Sequence, residues 1–153
     1  LQCAKAGERV MGEGAACFIL GAEQTPNTYA QLTGASMLYR PKDKTSVKAS
    51  IQGILQEANL EAEAIDVVLT GNQDQSLEKE LCAHAEFSSY KKLCGEYPTS
   101  TAFATALAAQ LLKGDQPTKK ALGINKKDVQ QALIYNNHQD INHSIILLSK
   151  VDN

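Results

Sequence analysis

The sequence carries no excess of positive charge. Fifteen Lys and Arg stand against seventeen Asp and Glu, a formal net charge of −2 with a sequence pI of about 5.9. A general nucleic-acid binder needs a basic patch to neutralise phosphates, so that class is disfavoured. No apolar run approaches the roughly 20 residues of a membrane span. Four cysteines, Cys3, Cys17, Cys82 and Cys94, are scattered without a C-x-x-C pair. Two disulfides would allow three connectivities, but nothing else here suggests secretion, and a reducing, cytoplasmic setting is expected. Cys17, inside an apolar run, is expected as a buried small hydrophobe. The start, Leu1-Gln2-Cys3-Ala4-Lys5, has neither an initiator Met nor a signal-peptide h-region and reads as a cut or matured end. There is no internal repeat and no low-complexity segment.

What is present suits one globular domain over 1–153. Apolar residues make up 43% of the 153 and charged residues 21%, enough for a core without disulfide or metal staples. Ala15-Ala16-Cys17-Phe18-Ile19-Leu20, bracketed by glycines, predicts a buried strand. Tyr29 to Ala35 predicts a second, with Gly34 as a bulge or close approach, and the two make a hairpin. Thr45 is placed to cap a helix carrying Val47, Ile51, Ile54, Leu55 and Ala58 on one face, with Asn59 as its stop. Ile65 to Thr70 is β-branched and short, a strand ended by Gly71. Asp74 or Ser76 starts a helix through Leu77, Leu81 and Ala85, and Phe87 to Tyr90 is a further short strand. The helix Thr101 to Lys113, closed by Gly114, is apolar nearly all round and so needs burial on more than one side. Ala132 to Tyr135 and Ser144 to Leu148 are closing strands joined by 136–143. The order of elements is α/β, with a mixed sheet of about five strands layered with helices.

Chemistry-bearing motifs are sparse. Gly12-Glu13-Gly14 precedes a strand, whereas a phosphate-cradling loop follows one and opens a helix, so a tight turn that lets backbones approach is expected. His138 and His143 sit five apart in a loop, and His84 stands alone on a helix. Each reads as a solvated or capped histidine, not as a metal ligand or general base. Glu78-Lys79-Glu80 reads as a solvated helix face. Lys119-Lys120 and Lys126-Lys127 are short pairs that serve solubility. No Ser-His-Asp spacing and no catalytic pair of carboxylates can be assigned. No cofactor and no metal is expected.

A series of segments nevertheless resembles the C-terminal part of the β-ketoacyl synthase family of thiolase-like condensing enzymes. Val10-Met11-Gly12-Glu13-Gly14-Ala15-Ala16 with Phe18-Ile19-Leu20 resembles that family's V-M-G-E-G-A-G segment and the strand after it. Ile65-Asp66-Val67-Val68 resembles the strand leading to an H-G-T motif, and Lys91 to Glu96 resembles K-x-x-T-G-H. The helix Thr101 to Gly114 with Pro117-Thr118, and the stretch Asn136 to Leu148, resemble the family's small-residue helix and closing hairpin. On this resemblance residues 1–39 correspond to the last strands of the family's N-terminal half.

The resemblance implies a nucleophilic cysteine and two histidines that serve decarboxylation and the developing enolate or oxyanion. The cysteine belongs to the family's N-terminal half, ahead of this chain. The first histidine position falls on Gly71, between Thr70 and Asn72, and the second on Glu96, while the motif lysine is kept as Lys91. No catalytic set is therefore expected intact. Gly71 has no side chain to donate, and an ionised Glu96 would repel an enolate unless burial kept it protonated. Lys91 and Glu96 could pair, and His138 or His143 are the candidates for a compensating imidazole. The leading expectation is a non-condensing, chain-length-factor-like protein of fatty-acid or polyketide-type biosynthesis. Its implied partners are an acyl carrier protein and a homologous ketosynthase or its own N-terminal half, in a dimer. Two alternatives stand beside it: the C-terminal part of an active acyltransferase with its nucleophile on the N-terminal half, and a stand-alone α/β domain binding an acyl ligand.

Overall fold

The computed structural model describes residues 10–72 and 74–151; Cys3 and the N-terminal end lie outside them. The elements in chain order are β1 (Gln31–Tyr39), α1 (Lys44–Glu57), a 3-10 turn (Ala62–Ala64), β2 (Val67–Thr70), α2 (Ser76–Leu81), β3 (Glu86–Ser89), α3 (Lys91–Cys94), α4 (Ser100–Leu112), α5 (Gln116–Leu122), β4 (Gln131–His138) and β5 (Asn142–Ser149). The five strands form one mixed sheet in the order β1-β5-β4-β2-β3. β2 runs parallel to β3 and β4, whereas β5 is antiparallel to β4 and β1. This is the α/β class with the five-strand mixed sheet that the order of elements predicts.

Strand alternation sorts the core into two layers, one on each face. Leu69, Ala132, Ile134 and Leu148 meet Ala104, Ala108, Leu111 and Leu112 of α4 and Leu122 of α5. Val68, Leu133, Ile145 and Leu147 meet Val47, Ile51, Ile54 and Leu55 of α1 and Leu77 of α2. β2 is buried along its whole length, as a strand covered on both faces must be. On α4 the row Ala104, Ala108, Leu112 is fully buried. In the other row Leu111 is buried, while Phe103 and Leu107 are half-buried. No helix among the described residues is long and apolar enough to cross a membrane.

Several expectations are corrected. Ala15 to Leu20 forms no strand, and the hairpin with the next segment is absent. Phe18, Ile19 and Leu20 are exposed and Cys17 is exposed too, because no strand among the described residues runs alongside this segment. β1 begins at Gln31 and extends to Tyr39, with the register shift between Leu32 and Gly34 where a bulge was expected. Asp43, not Thr45, caps α1: its backbone is extended and its carboxylate accepts from Ser46 N at 2.8 Å and Ser46 Oγ at 2.9 Å. Asn59 ends the helix at a φ of 55°.

The segment 136–143 is mostly strand rather than loop. Only Gln139, Asp140 and Ile141 turn, the first two at positive φ, and Asn137 clasps Asp140 through two side-chain hydrogen bonds that hold the turn. The helix α5 was missed although its signals are in the sequence. Asp115 caps it by accepting from Thr118 N, Pro117 stands in its first turn, and Gly123 closes it in the left-handed conformation.

The two candidate caps of α1 are separable by mutation. Asp43→Ala, which strands two donors at the helix start, lowers Tm by a few degrees, while Thr45→Ala leaves it within about one degree; thermal unfolding followed by circular dichroism checks this.

Candidate functional site

The C-terminal ends of β2 and β3 open onto a cavity of about 750 Å³. Among the residues that line it are Gly71, Ser89, Lys91 and Glu96, with Leu77, Glu78, Tyr135 and His143. This is the region where parallel strands of an open α/β sheet present loops to a ligand.

Glu96 follows Gly95, whose φ of 74° turns the chain after α3. Its backbone N–H donates to Val10 O at 2.8 Å and its carbonyl accepts from Gly12 N at 3.1 Å, forming a parallel bridge with Met11. Gly12 permits this approach: a Cβ there would fall 1.9 Å from Cys94 O. The close backbone approach expected of Gly12-Glu13-Gly14 is made at Gly12, but the segment forms no tight turn and no strand follows it.

The Glu96 side chain is engaged on both oxygens. Lys91 Nζ donates to Oε2 at 2.7 Å, and His138 Nδ1 lies 3.3 Å from Oε1. Burial pushes the carboxyl up, but the Lys91 ammonium and His138 outweigh it, and the net shift is downward. Glu96 is therefore an ionised carboxylate at neutral pH. Burial does not hold it protonated.

At Gly71 the space for a side chain is already taken. A Cβ would lie 2.3 Å from Asn136 Oδ1, 2.6 Å from Tyr90 Oη and 2.8 Å from Lys91 Cε. Burial raises the Tyr90 phenol to about 12, so it stays protonated.

The three histidines separate. His84 is exposed, in the turn after α2 rather than on a helix. His138 is half-buried against Glu96. His143 is buried, not solvated, with Nδ1 2.8 Å from Tyr135 Oη and its ring stacked on the tyrosine. Burial lowers the His143 imidazole and raises the Tyr135 phenol, so both remain neutral. Cys94 is half-buried and burial raises its thiol, which makes it a poor thiolate.

Glu78 was read as part of a solvated face, and the structure corrects this. It is fully buried, with Oε1 accepting from Thr70 Oγ1 at 2.7 Å and Asn72 Nδ2 at 2.8 Å. Asn72 Oδ1 in turn accepts from Asn137 N, tying the end of β2 to the β4–β5 hairpin. Helical geometry holds the signal, since Leu77, Glu78 and Leu81 fall within one arc of α2 and that arc faces inward. Lys126 pairs with Asp66 at 2.5 Å, so that lysine pair is partly structural. Among the described residues no group of three His, Cys, Asp or Glu gathers as a metal site.

The filled space at Gly71 can be read in stability. Gly71→Ala costs about 1–3 kcal/mol by overpacking, whereas Gly53→Ala, in α1 with nothing within 4 Å of its Cβ, gains about 0.5–1 kcal/mol. Denaturant unfolding of the two variants should move in opposite directions.

No family model matches the sequence, and neither does any curated protein. Solved structures do match in fold. A ketosynthase–chain length factor of PfaC superposes with a TM-score of 0.61 at 18% identity, over 82% of this chain and 13% of that one. The ishigamide ketosynthase/chain length factor gives 0.65 at 13% identity, over 81% and 38%. The AntDE:AntF complex, a type II polyketide synthase acyl-carrier protein with its ketosynthase bound to the hexaketide, gives 0.61 at 14% identity, over 81% and 39%. The chain therefore spans 13% to 39% of the length of these structures. Its mixed sheet and flanking helices share the α/β fold of part of these ketosynthase and chain length factor structures.

Proposed function

We propose that the chain is part of a ketosynthase-like protein of fatty-acid or polyketide-type biosynthesis and acts as a non-condensing, chain-length-factor-like partner. The observation that carries this reading is the filled space at Gly71. Condensation needs a thiolate nucleophile and donors on the developing enolate or oxyanion. At the two positions where the resemblance implies histidines, one has no room for a side chain and the other holds an ionised carboxylate. Removing a single oxyanion donor costs about 10²–10³ in rate, so the departures weigh against an active acyltransferase.

The partners of this reading are an acyl carrier protein and a homologous ketosynthase, or the N-terminal half of the same protein. A bare apolar surface supports an assembly rather than a stand-alone binding domain. Met37 and Tyr39 of β1 are exposed on the α4 side of the sheet, and Phe18, Ile19 and Leu20 are exposed without a strand partner. In this reading residues 1–39 correspond to the last strands of the N-terminal half, with β1 carried into this sheet beside β5, and the assembly is a dimer in a reducing, cytoplasmic setting.

The test is a condensation assay on the purified chain with malonyl and acyl thioesters. No carbon–carbon bond formation is expected from the chain alone, and product appears only when a competent ketosynthase is added. Condensation by the chain alone would overturn the reading.

A further inference from the structure

Two buried polar atoms have no hydrogen-bond partner among the described residues although their side chains belong to the cavity wall: Glu78 Oε2 and His143 Nε2. Glu78 has no solvent exposure and His143 only 6%. Neighbouring strands bring the two to one end of the sheet. Glu78 reaches the end of β2 from α2 and accepts from Thr70 Oγ1 through Oε1. Thr70 is the register partner of Tyr135 on β4, and Tyr135 Oη meets His143 Nδ1 from β5.

The hydrogen-bond roles follow from the phenol. Burial keeps Tyr135 protonated, and the acceptor in reach of its O–H is His143 Nδ1. The imidazole, kept neutral by burial, then carries its own proton on Nε2. The two unpaired atoms are therefore one carboxylate acceptor and one N–H donor, and buried polar atoms left unpaired are costly.

The surrounding charge favours a cation at the carboxylate. Five carboxylates line the cavity, Asp43, Asp74, Glu78, Glu96 and Asp140, against three ammoniums, Lys44, Lys91 and Lys92. Lys44 is held above its ordinary pKa by its hydrogen bond to Asp74, with the charges of Asp74, Glu78 and Asp140 adding to the pull. Its Nζ is engaged by Asp74 and Ser76, and Lys91 by Glu96, so neither fills Glu78 Oε2. Among the described residues no three acidic, histidine or cysteine side chains gather as a metal site. A lone carboxylate oxygen suits the N–H of an organic ammonium.

We propose that this cavity binds a small amino alcohol, its primary ammonium donating to Glu78 Oε2 and its hydroxyl oxygen accepting from His143 Nε2–H. A carboxylate in place of the hydroxyl would meet the surplus of negative charge, which disfavours amino acids. The cavity volume lies within the range of small-molecule pockets. The ligand class comes from these two atoms and does not rest on the ketosynthase-like reading.

The experiment titrates the purified chain with 3-amino-1-propanol and follows the His143 ring by nitrogen NMR. The free chain should show the Nε2–H tautomer, and that signal should shift saturably at millimolar ligand. 1-Butylamine, which lacks the hydroxyl, should bind more weakly and leave the Nε2–H signal in place, and potassium chloride at equal ionic strength should give no saturable shift. Glu78→Gln keeps a carbonyl for Thr70 and Asn72 and should weaken binding about tenfold or more, with circular dichroism confirming its fold. An Nε2–H signal that does not move with the amino alcohol, an Nδ1–H tautomer in the free chain, or the same shift from potassium chloride alone would overturn the proposal. So would undiminished binding by folded Glu78→Gln. The ligand comparison on the parent chain decides the matter even where that variant fails to fold, and the condensation assay judges the non-condensing reading separately.

Discussion

The Glu96 carboxylate and its peptide group are the junction on which the site depends. Its backbone joins the N-terminal segment at Val10 and Gly12, while its side chain joins α3 through Lys91 and the β4–β5 hairpin through His138. Three parts of the chain far apart in sequence are held by one residue. The interaction requires ionisation, because a neutral carboxyl would lose most of its attraction for the ammonium. Since the Glu96 pKa is shifted down in the folded state, its contribution to stability is present above the ordinary carboxyl pKa. It is lost as pH falls through the folded value.

Around that junction the cavity is built from side chains that fit one another. Gly71 leaves space, and Asn136, Tyr90 and the Lys91 stem fill it. Asn72 links the buried Glu78 to the hairpin backbone at Asn137. These contacts fix the hairpin that carries His138. A carboxylate at 96 with no imidazole and no ammonium beside it would be a buried charge without compensation, which is costly.

Regular elements were legible where a periodic apolar face decides them. Val47, Ile51, Ile54 and Leu55 marked α1, and the β-branched run from Ile65 marked β2. Ala15 to Leu20 misled because apolar character signals a wish for burial, whereas a strand needs a neighbouring backbone, and none of the described strands supplies it. The 136–143 segment misled in the other direction. Its polar side chains looked like a loop, but they are paired to each other and to the ends of β2 and α3. At the site, Gly71, Lys91 and Glu96 could be located from sequence by resemblance. That His138 would meet Glu96 could not, because the pairing depends on the register of β4 against β2. Glu78 was hidden for a similar reason, its partners Thr70 and Asn72 lying on a different element.

The central claim is that Glu96 is an ionised carboxylate held between Lys91 and His138, and its own titration tests this most directly. Carbon NMR of the Glu96 side-chain carboxyl across pH should give a midpoint below the ordinary glutamate value of 4.5, moving upward in Lys91→Met. A midpoint at or above 4.5 in the parent chain would contradict the account, because burial would then match or outweigh the two partners.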